Sequence, residues 1–285
     1  MQSYIHPDFN IAFTRHLSLF FEIDYTHFNY CIYNASSGEI SVIKKVVFNH
    51  QSEMQFDFEK FQIAVNKEDT LHCPYHEQHA AIAWSPFTVV PAQLFDSKNV
   101  NKYLDVICND DVDSATHFEF AESLDMYIVF TLHHKLRYFF EKVQPKVIWH
   151  HTILPFLYSN NAIVENAESD HVFLDVKDGY YFLIFICNSK LVFINRFNFS
   201  NADDFMYYLL LACEQKSFDR NTLQLNISGE LIQDSLIYKE LYKFFMHISF
   251  NQNHGSLQIP VDLEIPFHTF YTLSGLQLCE SFQAI

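Results

Sequence analysis

The stretch His171–Phe199, HVFLDVKDGYYFLIFICNSKLVFINRFNF, decides how this chain is read. Three runs rich in aromatic and β-branched residues, His171–Val176, Tyr181–Cys187 and Leu191–Phe199, are separated by Asp178-Gly179 and by Asn188-Ser189-Lys190. Turn residues of this kind between apolar runs predict an antiparallel meander of three strands. Ser200 or Asn201 then caps a helix, with Asp203 and Asp204 in its first turn where the helix dipole favours acids, and the apolar pattern runs from Phe205 to Gln215. A strand over Leu223–Ile227, a helix over Leu231–Ile248 and a last strand over Leu257–Ile259 are expected to complete this half.

Working outward, the same order occurs earlier in the chain. Leu17–Asp24, Phe28–Asn34 and Ile40–Phe48 read as three strands, joined by Tyr25-Thr26-His27 and by Ala35–Glu39. Phe56, Phe58, Phe61 and Val65 predict a helix between Ser52 and Lys67, and Ala80–Trp84 a strand before the break at Pro86. Short helical pieces at Pro91–Phe95 and Val100–Ile107, a strand at Met126–Thr131, a helix at Leu132–Lys142 and a strand at Val147–Trp149 follow. Polar Ser159-Asn160-Asn161 and Glu165–Ser169 form a seam, so the expected domains are 1–160 and 161–285. Phe28–Asn34 lines up with Phe182–Asn188, and Val46-Val47-Phe48 with Phe197-Asn198-Phe199. A spacing of roughly 150 residues marks a domain duplication rather than a short solenoid repeat.

Composition bounds the functions. Hydrophobic residues make up 49% of the 285 and aromatics 17%, with 31 Phe and 16 Tyr, enough for a sizeable core packed by large rings. The formal net charge is −16, and no basic run is longer than Lys44-Lys45, so nucleic acid and anionic membrane are poor partners. Met1–Arg15 lacks the pattern of a signal peptide, and the longest apolar runs, such as Tyr180–Cys187 and Met206–Cys213, fall short of the roughly 20 residues a membrane span needs. A cytoplasmic protein without membrane insertion is expected. Cys31, Cys73, Cys108, Cys187, Cys213 and Cys279 are scattered without paired spacing, which predicts reduced thiols.

Three antiparallel strands, a helix, a strand and a helix, used twice, resemble the duplicated ribonuclease-H-like architecture of the actin-like ATPase superfamily. The expected fold class is therefore α/β with mixed sheets, two ribonuclease-H-like domains in tandem. More narrowly, the chain resembles an uncharacterised bacterial family of that fold through Lys190–Phe197 (KLVFINRF), Asp203–Leu210 (DDFMYYLL) and Leu225–Glu230 (LNISGE). Weaker echoes are Pro86–Pro91, Leu94-Phe95 and Leu278-Cys279-Glu280. This resemblance implies a fold and no activity.

Actin-like ATPases hold nucleotide with a glycine-bearing hairpin turn in each half, each with an Asp, and a glycine pair near the adenosine. Backbone must approach phosphate closely there, and a Cβ would be in the way. The resemblance places Asp24 in the first turn, Asp178 and Gly179 in the second, and Gly229 at the adenosine position. The first turn, Ile23–His27, has no glycine, the adenosine region has one where two are expected, and the whole chain has only 5. ATP hydrolysis is disfavoured on this reading, no cofactor is expected, and Asp24 and Asp178 read as turn residues. The leading expectation is a noncatalytic actin-like binding or scaffold protein with a protein partner of unknown identity. The alternative is an ATP-binding switch with degenerate phosphate motifs, and a third reading places the protein near RNA-modifying enzymes.

Other chemistry is thinner still. A ribonuclease-H-like nuclease would start from Glu22 or Asp24, but further acids such as Glu59 and Asp125 have no distinguishing spacing. Cys73, His76 and His79 stand three apart and make the best candidate metal ligands, against the plainer reading of an exposed loop in a chain with 16 histidines. His133-His134 and His150-His151 flank aromatic strands and read as buried or edge histidines. No nucleophile elbow, P-loop or dinucleotide fingerprint occurs.

Overall fold

Apolar runs become strands, and side-chain caps set where the main helices begin. The computed structural model describes residues 2–50, 54–105, 107, 113–164, 169–216, 218–252 and 257–279. Before residue 152 it contains β1 (Gln2–Ile5), β2 (Ser18–Ile23), β3 (His27–Tyr33), β4 (Ile40–Val47), α1 (Phe58–Asn66) and β5 (Glu77–Ile82). There follow β6 (Phe87–Pro91), β7 (Ser114–Ala121), β8 (Met126–His133), α2 (His134–Val143) and β9 (Ile148–His151). After α3 (Ile153–Val164) come β10 (His171–Val176), β11 (Tyr180–Cys187), β12 (Lys190–Asn198), α4 (Ala202–Gln215) and β13 (Gln224–Gly229). The last elements are α5 (Leu236–Phe244), β14 (His247–Phe250) and α6 (Tyr271–Ser274). The described residues divide into two compact units, one drawn from Met1–Pro155, Ser256–Glu264 and Cys279–Ile285, the other from Phe156–Gly255 and Ile265–Leu278.

The first unit holds a six-stranded sheet of order β1-β4-β3-β2-β5-β9 and a separate antiparallel sheet β6-β8-β7. The second holds a five-stranded sheet of order β12-β11-β10-β13-β14. In both, a meander of three antiparallel strands continues into two parallel strands on the side of its first strand: β5 and β9 beside β2, β13 and β14 beside β10. β2, β3 and β10 are buried along their whole length, and the central strands therefore read as continuous apolar runs rather than alternating ones.

Helices cover one face of each sheet. Asp57 Oδ1 caps α1 by accepting from Lys60 N at 3.0 Å, and Phe61 and Val65, one turn apart, enter the core with Leu136, Phe139 and Phe140 of α2. Fully burying Phe61 or Phe140 stabilises by about 2–3 kcal/mol each. In the second unit Asn201 caps α4, and Phe205, Met206 and Leu209 pack on Val172, Leu174, Tyr181 and Leu183.

Several expectations are corrected. The helix expected over Leu231–Ile248 is two elements: α5, capped by Ser235, ends at Phe244, and β14 then pairs in parallel with β13. Ile248 and Phe250 alternate toward the core, a two-residue period hidden beneath an apolar helix pattern. Ser159, Asn160 and Asn161 are helical within α3, where Asn160 Nδ2 donates to Phe156 O at 2.6 Å and Asn160 Oδ1 accepts from Tyr271 OH at 3.0 Å. Leu257–Ile259 forms no strand; Gln258 makes a single parallel bridge to Glu39. β1 and β7, which the sequence did not suggest, complete their sheets. Cys108, Ser52, residues 165–168 and Glu280 lie outside the described residues.

One alignment slips by a residue. Ile23 pairs with Phe28 and Val176 with Tyr181, so Phe28 corresponds to Tyr181 and not to Phe182. The core agrees, since Phe28, Tyr30 and Ile32 face one core as Tyr181, Leu183 and Phe185 face the other. A strand buried on both faces lacks the alternation that would set its register. The second alignment stands: Phe48 N donates to Thr26 O and Phe199 N to Gly179 O, both after the same turn.

Candidate functional site

The sequence reading assigned phosphate contact to the turns that follow β2 and β10. The first consists of Asp24, Tyr25 and Thr26. Asp24 is buried, and its Oδ1 accepts from the next amide, Tyr25 N, at 2.7 Å. Thr26 O accepts from Phe48 N at 2.9 Å and from Asn49 N at 3.0 Å, tying the turn to the end of β4. The Tyr25 ring lies 6.0 Å from that of Trp84, which in turn stacks on Phe56 at 4.2 Å. Side chains and neighbouring backbone thus occupy a turn in which a glycine would leave room for an anion.

The second turn consists of Lys177, Asp178 and Gly179. Gly179 has φ of 83°, the left-handed region open to glycine, and its carbonyl accepts from Phe199 N at 2.8 Å. Asp178 is exposed, whereas Lys177 is buried with its Nζ 3.2 Å from Asp175 Oδ2. Thr272 Oγ1 of α6 donates to the same Asp175 oxygen at 2.8 Å.

Strand register matches the two turns residue by residue. Asp24 corresponds to Lys177, and the acids that correspond are Glu22 and Asp175, each next to last on the first strand of its meander. Each accepts from a threonine next to or within a helix: Thr152 Oγ1 donates to Glu22 Oε1 at 2.8 Å, as Thr272 does to Asp175. Asn29 Nδ2 also reaches Glu22 Oε2 at 3.4 Å. Sequence reasoning considered Glu22 only as a nuclease acid and, in the acid-bearing stretch Asp175–Tyr180, chose Asp178 over Asp175. The available signal was the pair of acids at one strand position, visible once Ile23 and Val176 are aligned.

Gly229 ends β13 opposite Val176 of β10, with φ of 86°. A Cβ there would stand 2.0 Å from Val176 O and 2.8 Å from Asp175 Oδ1. The space this glycine leaves open is filled by its own sheet. Its glycine identity is therefore explained by the close contact of β10 and β13.

The metal candidates part company. Cys73 Sγ donates to Asp69 O at 3.6 Å, His76 N donates to Leu17 O at 2.9 Å, and His79 is buried on β5. Among the described residues no group of three or more His, Cys, Asp or Glu is placed to hold a metal ion. His79 instead belongs to a chain of four groups. Its Nε2 is 3.1 Å from Glu77 Oε1, its Nδ1 is 2.9 Å from His150 Nε2, and His150 Nδ1 is 2.7 Å from Glu119 Oε2. Burial pushes the pKa of His79 down.

Three of the thiols are buried. Burial pushes the Cys213 thiol up to about 12 and raises Cys31 and Cys279 also, so none of them is a thiolate near neutral pH. A depression of about 540 Å³ at the start of α1 is lined by Asp57, Glu59 and Lys135, with Asp57 paired to Lys60 at 3.1 Å. No helix among the described residues is long and apolar enough to cross a membrane.

Two sheets of one strand order, each with its turn and carboxylate, define a mixed α/β protein of the actin-like ATPase fold. The structure is similar to that of a protein with actin-like ATPase fold and unknown function from Bacteroides thetaiotaomicron VPI-5482, with a TM-score of 0.76, 16% identity, and coverage of 95% of this chain and 99% of that one. It is also similar to a chain of the PilM–PilN type IV pilus biogenesis complex, with a TM-score of 0.59, 9% identity, and coverage of 93% and 98%. Identities this low carry the fold and nothing finer. The chain belongs to the family described as "Protein of unknown function (DUF3822)", whose model matches residues 6–248. Among curated proteins none matches its sequence. The fold class and the family resemblance read from the sequence are borne out.

Proposed function

We propose that this protein is a noncatalytic member of the actin-like fold, a cytoplasmic binding or scaffold module that holds a protein partner. Its halves, 1–160 and 161–285, would be copies of one ancestral domain; the shared strand order and the matched Glu22 and Asp175 support that descent. The observation that carries the functional reading is the first turn. Asp24 is turned onto its own backbone, Thr26 is bound to the chain after β4, and Tyr25 stands beside Trp84 where a phosphate cradle needs bare amides. Gly229 serves sheet packing, which removes the last glycine near an adenosine. The similar PilM–PilN assembly is a complex between proteins, which supports a protein partner for this fold.

The test is thermal unfolding of the full chain with and without Mg-ATP. A ligand at 100 times its Kd stabilises by about 2.7 kcal/mol, a shift of several degrees. The expected result is no shift at millimolar Mg-ATP. A shift of several degrees would establish the alternative, a nucleotide-bound switch with altered turns, and would end the noncatalytic reading.

A further inference from the structure

The two sheets share a strand order and differ at one edge. In the first unit the outer strand of the meander, β4, is covered by β1, which pairs with it antiparallel from Gln2 opposite Lys45 to Ile5 opposite Val42. In the second unit the corresponding strand, β12, is the end of the sheet, and among the described residues no strand lies beyond it. Register makes the pair Phe28–Val46 equivalent to Tyr181–Phe197, so Phe193–Arg196 is the counterpart of Val42–Lys45, the segment that β1 covers.

β12 is nine residues long and apolar through Leu191, Val192, Phe193, Ile194 and Phe197, with Val192 40% exposed. A long edge of this kind is a template for another strand. Its charge says which strand fits. β12 carries Lys190 and Arg196 and no acid, and Lys216 Nζ lies 5.3 Å from the Phe193 ring. On a chain of net charge −16, this is a local basic strip. A second copy would set cationic edge against cationic edge, which cross-strand pairing disfavours, whereas an acidic strand is attracted.

We propose that β12 binds an extended acidic segment of a partner protein, added antiparallel along its open edge in the place that β1 takes on β4. The main chain would supply the pairing hydrogen bonds, while Lys190 and Lys216, which share the Phe193 face because a bulge falls between Leu191 and Phe193, select for acids at alternate positions of the incoming segment, and Arg196 adds a positive charge on the other face. This rests on the reading of the chain as a partner-binding protein, and it names the surface and the chemistry of the partner.

The experiment uses the full chain and two nine-residue synthetic peptides, one alternating Val and Glu, the other Val and Lys. Binding is followed by fluorescence anisotropy and the site by amide hydrogen exchange. The Glu peptide is expected to slow exchange across Lys190–Asn198 and to bind on the order of tenfold more tightly than the Lys peptide, as two surface ion pairs allow. Lys190→Glu with Lys216→Glu is expected to reverse that order. Lys190→Glu alone, at an exposed side chain, keeps the test open if loss of the Lys216 contact with the Phe193 ring disturbs folding. Unchanged exchange in β12, or equal binding of the two peptides, would overturn the proposal. A concentration-dependent dimer that protects β12 would overturn it as well, in favour of a second copy. The Mg-ATP melt is read on the chain without peptide, so either conclusion can fail alone.

Discussion

Replacing Gly229 with Ala separates a packing role from a nucleotide role. The new Cβ would stand 2.0 Å from Val176 O, and real Cβ contacts essentially never fall below 3.0 Å, so strand β10 or β13 must retreat by at least 3.0 − 2.0 = 1.0 Å. Three costs add. The φ of 86° is left-handed, which costs an alanine about 1–2 kcal/mol. The hydrogen bond from Glu230 N to Val176 O, 2.7 Å long, is stretched, at about 1 kcal/mol. Shifting two parallel strands in a packed core costs about 1–3 kcal/mol more. The sum, roughly 3–6 kcal/mol, is a large part of the 5–15 kcal/mol that holds a domain folded. Urea unfolding of both proteins, followed by circular dichroism, measures the difference as a shift in midpoint at constant slope. A loss below about 1 kcal/mol would refute the packing argument, because the left-handed backbone alone accounts for that much.

Two further perturbations test neighbouring groups. Lys177→Met leaves Asp175 buried with Thr272 as a remaining partner, and the loss is expected to be about 3–5 kcal/mol in urea unfolding; adding Asp175→Asn should recover part of it, and a single-variant loss under about 1 kcal/mol would show the ion pair to be dispensable. His171 and His268 are held below the ordinary histidine pKa by burial, so both are neutral when folded and take up protons on unfolding in acid. Their contribution to stability is present above about pH 6.5 and is lost as pH falls below it. His268→Gln, which keeps a donor toward Leu231 O, is expected to flatten the fall in melting temperature between pH 7 and 5; an unchanged slope would remove His268 from the account.

Much of the fold was legible in local patterns. His171–Val176 was read to the residue, and the first meander to within a residue or so, because apolar runs ended at Asp-Gly, Asn-Ser and Ser-Ser-Gly turns. Asn201 and its acids marked the start of α4. The candidate site was less legible. Asp24 and Gly179 were correctly placed in turns, but the acids that correspond between halves, Glu22 and Asp175, emerged only from strand register. The four-group chain through His79 and His150 joins residues 71 positions apart on β5 and β9, with Glu119 arriving from β7 of the other sheet.

By itself, then, the sequence determined the fold class, the two three-stranded meanders with the helix after each, the lack of glycine in the first turn and the acidic net charge. These are local or compositional properties, carried by neighbours in the chain and by summed charge. The tertiary structure decided the register that sets Glu22 against Asp175, the contact that makes Gly229 obligatory, and the edge that β1 covers on β4 but no described strand covers on β12. Strands buried on both faces lack a period to show which side chain points where, and a parallel pairing such as that of β10 with β13 joins residues 53 apart. Such contacts are set by packing between distant segments, which no local window records.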